Sequence, residues 1–472
     1  MGSPSLSCMV GKGFCACKFL HSVVSYRGYM VIHHKGVSLN MKCVHEFLKE
    51  IGFIQTWEEM APVEATFIDH MKKGMAGEKS SLPMIPAYLT VDALPDSSQD
   101  VIVMDAGGTN LRVALLRITP GQKPEVLYHH KQPVPGKPGP ISPEAFFEEL
   151  AKAVLPVADK SDRIGFCFSF PCKILPNLDG EILYLDKEVD VPGIEGALVG
   201  EGLKAALKKL GAPCEQKVVI LNDTVAALLG ALAEHSASCY SGYIGMILGT
   251  GTNCCYSESN VNITKEATLC QKPGSSIINM EAGAFNGFKL TDADILVSKK
   301  AAVPDQNLLE KTMSGEYQGK LLDALFICAA EAGCFSPALA ERIKTGELGF
   351  TAVDISLYLD APHRAGRLHD LAPEGEDALV VYKLVDALLE RASMMAVMNL
   401  TAIMSFTQTG TNPLLPVCVA IEGTTFMKNE TFRQKIRGHL IHYTERVRGH
   451  HCRVVNTDEA NLVGSAVAAM TL

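Results

Sequence analysis

No stretch of this 472-residue sequence supplies the roughly 20 uninterrupted apolar residues of a bilayer crossing. The longest candidate, Ser393 to Phe406, is broken by Asn399, Thr401 and Ser405, so a soluble protein is expected. Positive charge is also scarce. With 43 Lys and Arg against 52 Asp and Glu, the formal net charge of -9 offers no electrostatic footprint for duplex nucleic acid or an anionic membrane, and neither is expected as a partner. Metal-binding cysteine pairs are missing as well. The 15 cysteines show no repeated spacing and no CxxC pair near a His pair, which argues against zinc and for a reducing, cytoplasmic setting. One cluster, Cys8, Cys15 and Cys17 with His33 and His34, has no second half to complete it.

Two common phosphate motifs are absent. The Walker pattern fails at Gly319-Lys320, where Leu321 follows and Ser314 stands in place of the first glycine. The dinucleotide fingerprint fails at Gly249-Thr250-Gly251, whose third glycine is replaced by Cys254. A nucleotide would have to be held in another way.

What remains is a composition of 47% hydrophobic and 20% charged residues, ordinary for a globular chain with length for roughly two to four domains. The first 45 residues stand apart, with Lys12, Lys18, Arg27, Lys35 and Lys42 and no acid before Glu46. A transit peptide, a flexible extension over residues 1–40, or an upstream start with Met41 as the working one all fit that composition.

From Asp100 onward the pattern is strand, glycine turn, strand. Val101-Ile102-Val103-Met104 ends in Asp105-Ala106-Gly107-Gly108-Thr109-Asn110 and resumes as Leu111-Arg112-Val113-Ala114, which predicts a buried hairpin. Tyr243 to Leu248 followed by Gly249-Thr250-Gly251-Thr252-Asn253 repeats it, and Val417 to Ile421 followed by Glu422-Gly423-Thr424-Thr425 predicts a third, weaker copy. Three copies suggest an internal duplication. Ser142-Pro143-Glu144 opens a helix, Leu379, Tyr382, Val385, Leu389 and Ala392 recur at helical spacing, and Gln132 to Pro140 reads as a surface loop, so the class is α/β.

Glycine turns let backbone N–H groups converge where a Cβ would block approach, and such concavities attract phosphate oxygens, although most are merely tight turns. The strand Val218-Val219-Ile220-Leu221 delivers Asn222-Asp223-Thr224 into a helix. A carboxylate in such apolar surroundings has either a task or the bland role of capping that helix.

The order of these segments decides between the readings. Asp105-x-Gly107-Gly108-Thr109-Asn110, Phe168-Ser169-Phe170-Pro171, Asn222-Asp223-Thr224-Val225, Gly249-Thr250-Gly251-Thr252-Asn253 and Asn279-Met280-Glu281 together resemble the hexokinase/glucokinase family, from about Ser81 to Ala466 and including Leu309-Glu310-Lys311. The resemblance implies a two-lobed actin-like ATPase (ribonuclease H-like) fold around a central cleft. It assigns 41–91 and 224–455 to the large lobe and 98–221 and 456–472 to the small one. It implies an ATP-dependent kinase that phosphorylates the 6-hydroxyl of glucose or a related hexose in the first step of glycolysis, acting as a monomer or homodimer.

The same resemblance makes Asp223 the catalytic base and Lys187 its partner in holding sugar and charge. It places Ser169, Asp186, Lys187, Asn222, Asp223, Asn253, Glu281 and Glu310 on the sugar. It places Asp105, Gly107, Gly108, Thr109, Asn110, Thr250, Gly251, Gly423 and Thr424 on ATP, with Asp105 acting on Mg²⁺ through water. The chain departs from the family pattern at Asp186-Lys187-Glu188-Val189, where Thr-Lys-Gly-Phe is common, at Glu422 in place of Asp, at Ala282 in place of an aromatic, and in the glycine-poor run Asp458 to Leu462. A catalytically weak sugar-binding sensor on the same scaffold is the competing reading.

Overall fold

The computed structural model describes residues 43–91, 97–119, 122–137, 139–185, 189–235 and 239–472. The expected extension over 1–40, the cluster of Cys8, Cys15, Cys17, His33 and His34, and Asp186 and Lys187 lie outside the described residues.

A short strand, β1 (Ile85–Pro86), precedes two sheets. The first contains β2 (Gln99–Ala106), β3 (Asn110–Ile118), β4 (Glu125–Pro133), β5 (Arg163–Phe168) and β8 (Lys217–Leu221) in the order β4-β3-β2-β5-β8, with β6 (Cys172–Ile174) and β7 (Gly180–Ile182) as a separate ribbon. The second contains β9 (Gly242–Leu248), β10 (Thr252–Ser259), β11 (Ser275–Asn279), β12 (Val417–Glu422) and β13 (Cys452–Val455) in the order β1-β11-β10-β9-β12-β13. Each sheet joins three antiparallel strands to two parallel ones: β4, β3, β2 then β5, β8, and β11, β10, β9 then β12, β13. The repetition read from the glycine turns is thus a repetition of topology.

Side-chain alternation explains the layers. In β2, Ile102 and Met104 enter a core with Phe146, Leu150, Leu203 and Leu207 of helices Pro143–Val154 and Val199–Lys209. Val101 and Val103 enter a second core on the other face, with Val225, Leu228 and Leu232 of helix Asp223–Glu234 and Ala466, Val467 and Met470 of the C-terminal helix Ala460–Met470. Tyr243, Cys255, Ile277 and Cys418 of the second sheet share that same core. The opposite face of the second sheet, through Ile244, Met246 and Cys254, meets a large helical layer built on helices Trp57–Ala76, Gly315–Glu331 and Gly375–Thr407. Apart from the exposed edge strand β4, both sheets are covered on both faces, which is why their central strands read as continuous apolar runs.

Small residues allow the two middle helices to sit between the sheets. A Cβ on Gly464 would lie 1.8 Å from the Ala226 carbonyl oxygen, one on Gly165 of β5 would lie 1.9 Å from the Ser465 oxygen, and one on Gly230 would lie 2.7 Å from the Ala460 oxygen.

Three expectations are corrected. The segment after β12 is no hairpin: β12 pairs in parallel with both β9 and β13, and Gly423 turns the chain into the short helix Thr424–Lys428. The stretch Gln132 to Pro140 is not simply surface loop, since Gln132 and Pro133 finish β4 and Val134, Pro135 and Gly136 are buried. The run Ser393 to Phe406 belongs to a 33-residue helix that has the length and composition of a membrane span; 89% of its apolar window is buried inside the protein, the pattern of a core helix. Among its polar interruptions, Thr401 donates to the Val397 carbonyl at 2.7 Å and meets Thr444 at 2.7 Å, whereas the amide of Asn399 is buried with no hydrogen-bond partner among the described residues.

The helix crossing generates a stability test. Gly464→Ala forces a methyl into backbone, so a loss of about 3 kcal/mol or more in urea unfolding is expected, at the upper end of overpacking costs; a loss under about 0.5 kcal/mol contradicts this packing.

Candidate functional site

Asp223 stands where the chain leaves the first sheet for the second. β8 ends at Leu221, Asn222 caps the next helix by accepting from the Thr224 amide at 2.9 Å, and Asp223 is the first helical residue. The capping role considered for Asp223 therefore belongs to Asn222. The first turn of this helix rests on the second sheet: a Cβ on Gly245 of β9 would lie 2.5 Å from the Thr224 oxygen, and Cys255 of β10 donates its thiol to that oxygen at 3.1 Å.

Two buried thiols, Cys167 of β5 and Cys255 of β10, feel the charge of the Asp223 carboxylate. Burial, then the neighbouring Asp105 and Asp223 carboxylates, push the Cys167 thiol far up, and burial, with Cys254 and Asp223, does the same to Cys255. Both stay neutral S–H groups. Cys167 also links Asp223 to Asp105, because it feels both charges.

The polar cluster expected for sugar forms along β10. Side chains two residues apart share a strand face, so Asn253 lies one pleat from Cys255, about 7 Å along the strand. Asn279 of β11 pairs in register with Cys255 on that face. Asn253 Nδ2 donates to Asn279 Oδ1 at 2.7 Å, Asn279 Nδ2 donates to Glu281 Oε1 at 2.8 Å, and Asn253 Oδ1 accepts from the Cys254 and Ala282 amides at 2.7 and 3.1 Å. Glu281 holds a left-handed backbone at φ 53°, a strained conformation for a non-glycine residue at a site. Glu310 joins from the helix Leu308–Met313 by accepting from the Thr252 amide at 3.1 Å. Gly283 lets it in: a Cβ there would lie 3.1 Å from Glu310 Cβ and 3.0 Å from the Thr252 oxygen. Ser169, at the end of β5, donates its amide to the Ala106 carbonyl at 3.1 Å, directly behind the first glycine turn.

Both glycine turns end the strands of their sheets and carry exposed threonines, Thr109 and Thr250, at their tips. In the first, the Gly107 amide donates to the Asn110 carbonyl at 3.1 Å, and a Cβ on Gly107 would meet nothing nearer than 4.0 Å, so open space lies in front of it. Lys137 Nζ donates to the Gly108 carbonyl at 2.9 Å. In the second, the carbonyls of Gly249 and Thr250 accept from the Gly315 and Glu316 amides at 2.8 and 3.1 Å, so the start of helix Gly315–Glu331 holds them in place. Gly423 closes over it at φ 111°, where a Cβ would lie 2.5 Å from the Leu248 oxygen, and Thr424 follows, exposed. Burial raises the nearby Glu422 carboxyl, reinforced by Asp458.

Asp105 is 5% exposed. Arg112, opposite it in the hairpin register, places both Nε, at 2.9 Å, and Nη2 on Oδ2, while Oδ1 is buried and meets no hydrogen-bond donor among the described residues. A hard carboxylate oxygen without a donor beside an open glycine turn fits a hydrated magnesium ion. Arg112 was missed by the sequence reading, yet counting back from the turn pairs it with Asp105. Asn279 was quoted as part of a motif but given no role, and Lys137 lay in a stretch read as loop. A polar hollow of about 740 Å³ lined by Asp100, Arg117, Asp162 and Arg163 sits at the far ends of β2, β3 and β5 and contains none of the site residues.

The duplicated sheets, the two crossing helices and the paired glycine turns define a two-lobed, actin-like α/β kinase fold. Two family models, both described as Hexokinase, match residues 44–232 and 243–471, and the chain belongs to the hexokinase family. It is 29% identical over 440 residues to Hexokinase-3 of Mus musculus, covering 89% of this chain and 46% of that protein. It is 25% identical over 448 residues to the hexokinase of Kluyveromyces lactis, covering 89% and 90%. The chain thus spans about half the length of the mammalian relatives it matches. A solved hexokinase from Schistosoma mansoni complexed with glucose superposes with a TM-score of 0.73 at 22% identity, over 91% of this chain and 99% of that one. A second hexokinase crystal structure gives 0.72 at 20% identity, over 90% and 99%.

The Asn253 network also makes a stability claim. Asn253→Ala strips the acceptor from two amides; at about 1–3 kcal/mol for each buried unsatisfied group, a loss of at least about 2 kcal/mol in chemical denaturation is expected. An unchanged midpoint would show that these amides find other partners.

Proposed function

We propose that the chain is an ATP-dependent hexokinase that transfers the γ-phosphoryl group to the 6-hydroxyl of glucose or a related hexose. The observation that carries this reading is the position of Asp223 at the crossing between the sheets: Leu221, two residues before it, pairs with Cys167, which pairs with Asp105 beside the first glycine turn, and the Thr224 carbonyl after it accepts from Cys255 on the face bearing Asn253 and Asn279. The likeness to a hexokinase complexed with glucose supports the choice of sugar class.

The reaction asks little covalent chemistry of the protein. A hexose hydroxyl is a poor nucleophile, and Asp223 accepts its proton as the oxygen bonds to the γ-phosphorus and the bond to the ADP oxygen breaks. Asn253, Glu281 and Glu310 offer amide and carboxylate groups suited to sugar hydroxyls, so a sugar lacking one hydroxyl leaves a buried polar group unpaired and is discriminated against. The glycine turns present backbone N–H groups and threonine hydroxyls to the phosphates. Asp105 Oδ1 would hold Mg²⁺ through water, and the ion, when bound, neutralises charge on the β- and γ-phosphate oxygens. Closure of the lobes excludes water, which competes for the same phosphorus. Lys187, proposed as the partner cation, lies outside the described residues.

The test is a coupled assay for ADP release with glucose, mannose and fructose, each against a blank without sugar, on the wild type and on Asp223→Ala. Sugar-dependent release by the wild type is expected, with at least about a hundredfold loss in the variant and sugar binding retained. A variant keeping more than about a tenth of the rate removes the base assignment, and sugar binding by the wild type without ADP release favours the sensor reading.

A further inference from the structure

The chain passes between the sheets a second time, from β13 to the C-terminal helix, and Glu459 stands at that crossing. It occupies the N-cap position of the C-terminal helix, as Asn222 does for helix Asp223–Glu234, so the two residues hold corresponding places in the duplicated topology. Their side chains do different work. Asn222 accepts from the Thr224 amide, whereas Glu459 makes no capping bond and holds a left-handed backbone at φ 53°, a costly conformation for a non-glycine residue. Its carboxylate reaches instead to Nη1 of Arg112, on the first sheet.

The same guanidinium grips Asp105 unusually. An arginine facing a carboxylate prefers two parallel bonds, one to each oxygen. Here Nε and Nη2 both meet Oδ2, and Oδ1 is left without a donor. The guanidinium is a rigid plane, so fixing one nitrogen fixes the others. Glu459, bonded to Nη1 on the opposite edge, restrains the plane from turning out of the one-oxygen arrangement. With Glu459 neutralised, Arg112, whose side chain is 26% exposed, is free to rotate into the two-oxygen fork and occupy Oδ1.

We propose that Glu459 is a positioning residue for phosphoryl transfer: acting through Arg112, it keeps Oδ1 of Asp105 available to a magnesium-bound nucleotide. Because Glu459 begins the C-terminal helix, the nucleotide side of the cleft is completed when that helix is seated against the first sheet. The proposal rests on the kinase reading above and adds a residue to it.

Calorimetric binding of ADP to the full chain tests it, with magnesium and separately with a chelator, for the wild type, Glu459→Gln and Glu459→Gly. Partners that orient a metal's carboxylate contribute about 10–100-fold to metal affinity. Both variants are therefore expected to weaken ADP binding in magnesium by about tenfold or more and to leave binding in chelator and hexose affinity unchanged. Glu459→Gly, which relieves the left-handed backbone, is expected to keep or raise the melting temperature, so its weaker binding is not a folding loss. Unchanged affinity in magnesium, or an equal loss with and without it, overturns the positioning role. A wild type that binds neither magnesium-ADP nor hexose overturns the kinase reading first, and is told apart because the variants then have nothing to lose.

Discussion

Close backbone contact between helix Asp223–Glu234, the C-terminal helix and β5 is the constraint on which the remainder of the structure depends. Gly464, Gly230 and Gly165 each stand where a methyl group would fall between 1.8 and 2.7 Å from a carbonyl oxygen. At that separation the helices act as a shared inner layer, and one core contains side chains of both sheets. Because each helix leaves the end of a parallel strand, its first residue is delivered to the line between the sheets. That is how Asn222 with the adjoining Asp223, and Glu459, come to corresponding helix starts from opposite halves of the chain.

Around Asp223 the chemistry is arranged by exclusion as much as by contact. The thiols of Cys167 and Cys255 are kept protonated by burial and by the carboxylates beside them. Neither thiol adds a charge near Asp223. Glu281 and Glu459 hold left-handed backbones at the site, as Met84, Tyr88, Leu178, Asp305, Asn307 and Gln408 do elsewhere, and Gly423 sits at φ 111° against the second glycine turn. Such conformations persist because the surrounding hydrogen bonds over-determine them.

Much of this was legible in the sequence, for identifiable reasons. The hairpins around Gly107 and Gly249 announced themselves because buried strands are apolar on both faces and glycine punctuates them. Asp223 drew attention as a carboxylate closing an apolar strand, but its local pattern fitted a task and a helix cap equally, and only the order of the motifs separated the two readings. The third turn misled because Val417 to Ile421 carries the same local signal as β9, and whether β12 turns back or joins β9 in parallel is settled by tertiary pairing. Asn399, Thr401 and Ser405 made the apolar run Ser393 to Phe406 read as interrupted, whereas it lies inside one 33-residue helix in which Thr401 bonds within the core and Ser405 lies against Glu64 and His450 at 3.4 Å. Arg112 and Glu459 meet across 347 residues of sequence, a separation over which local pattern has no say.

The central claim is that both glycine turns and the start of helix Asp223–Glu234 line one ligand cleft. Amide hydrogen exchange of the full chain, with glucose and a magnesium complex of a non-hydrolysable ATP analogue added together, tests it most directly. The account expects slowed exchange in three segments at once, 106–110, 249–253 and 223–227. Protection confined to one turn, or protection of both turns with no change at 223–227, would contradict it.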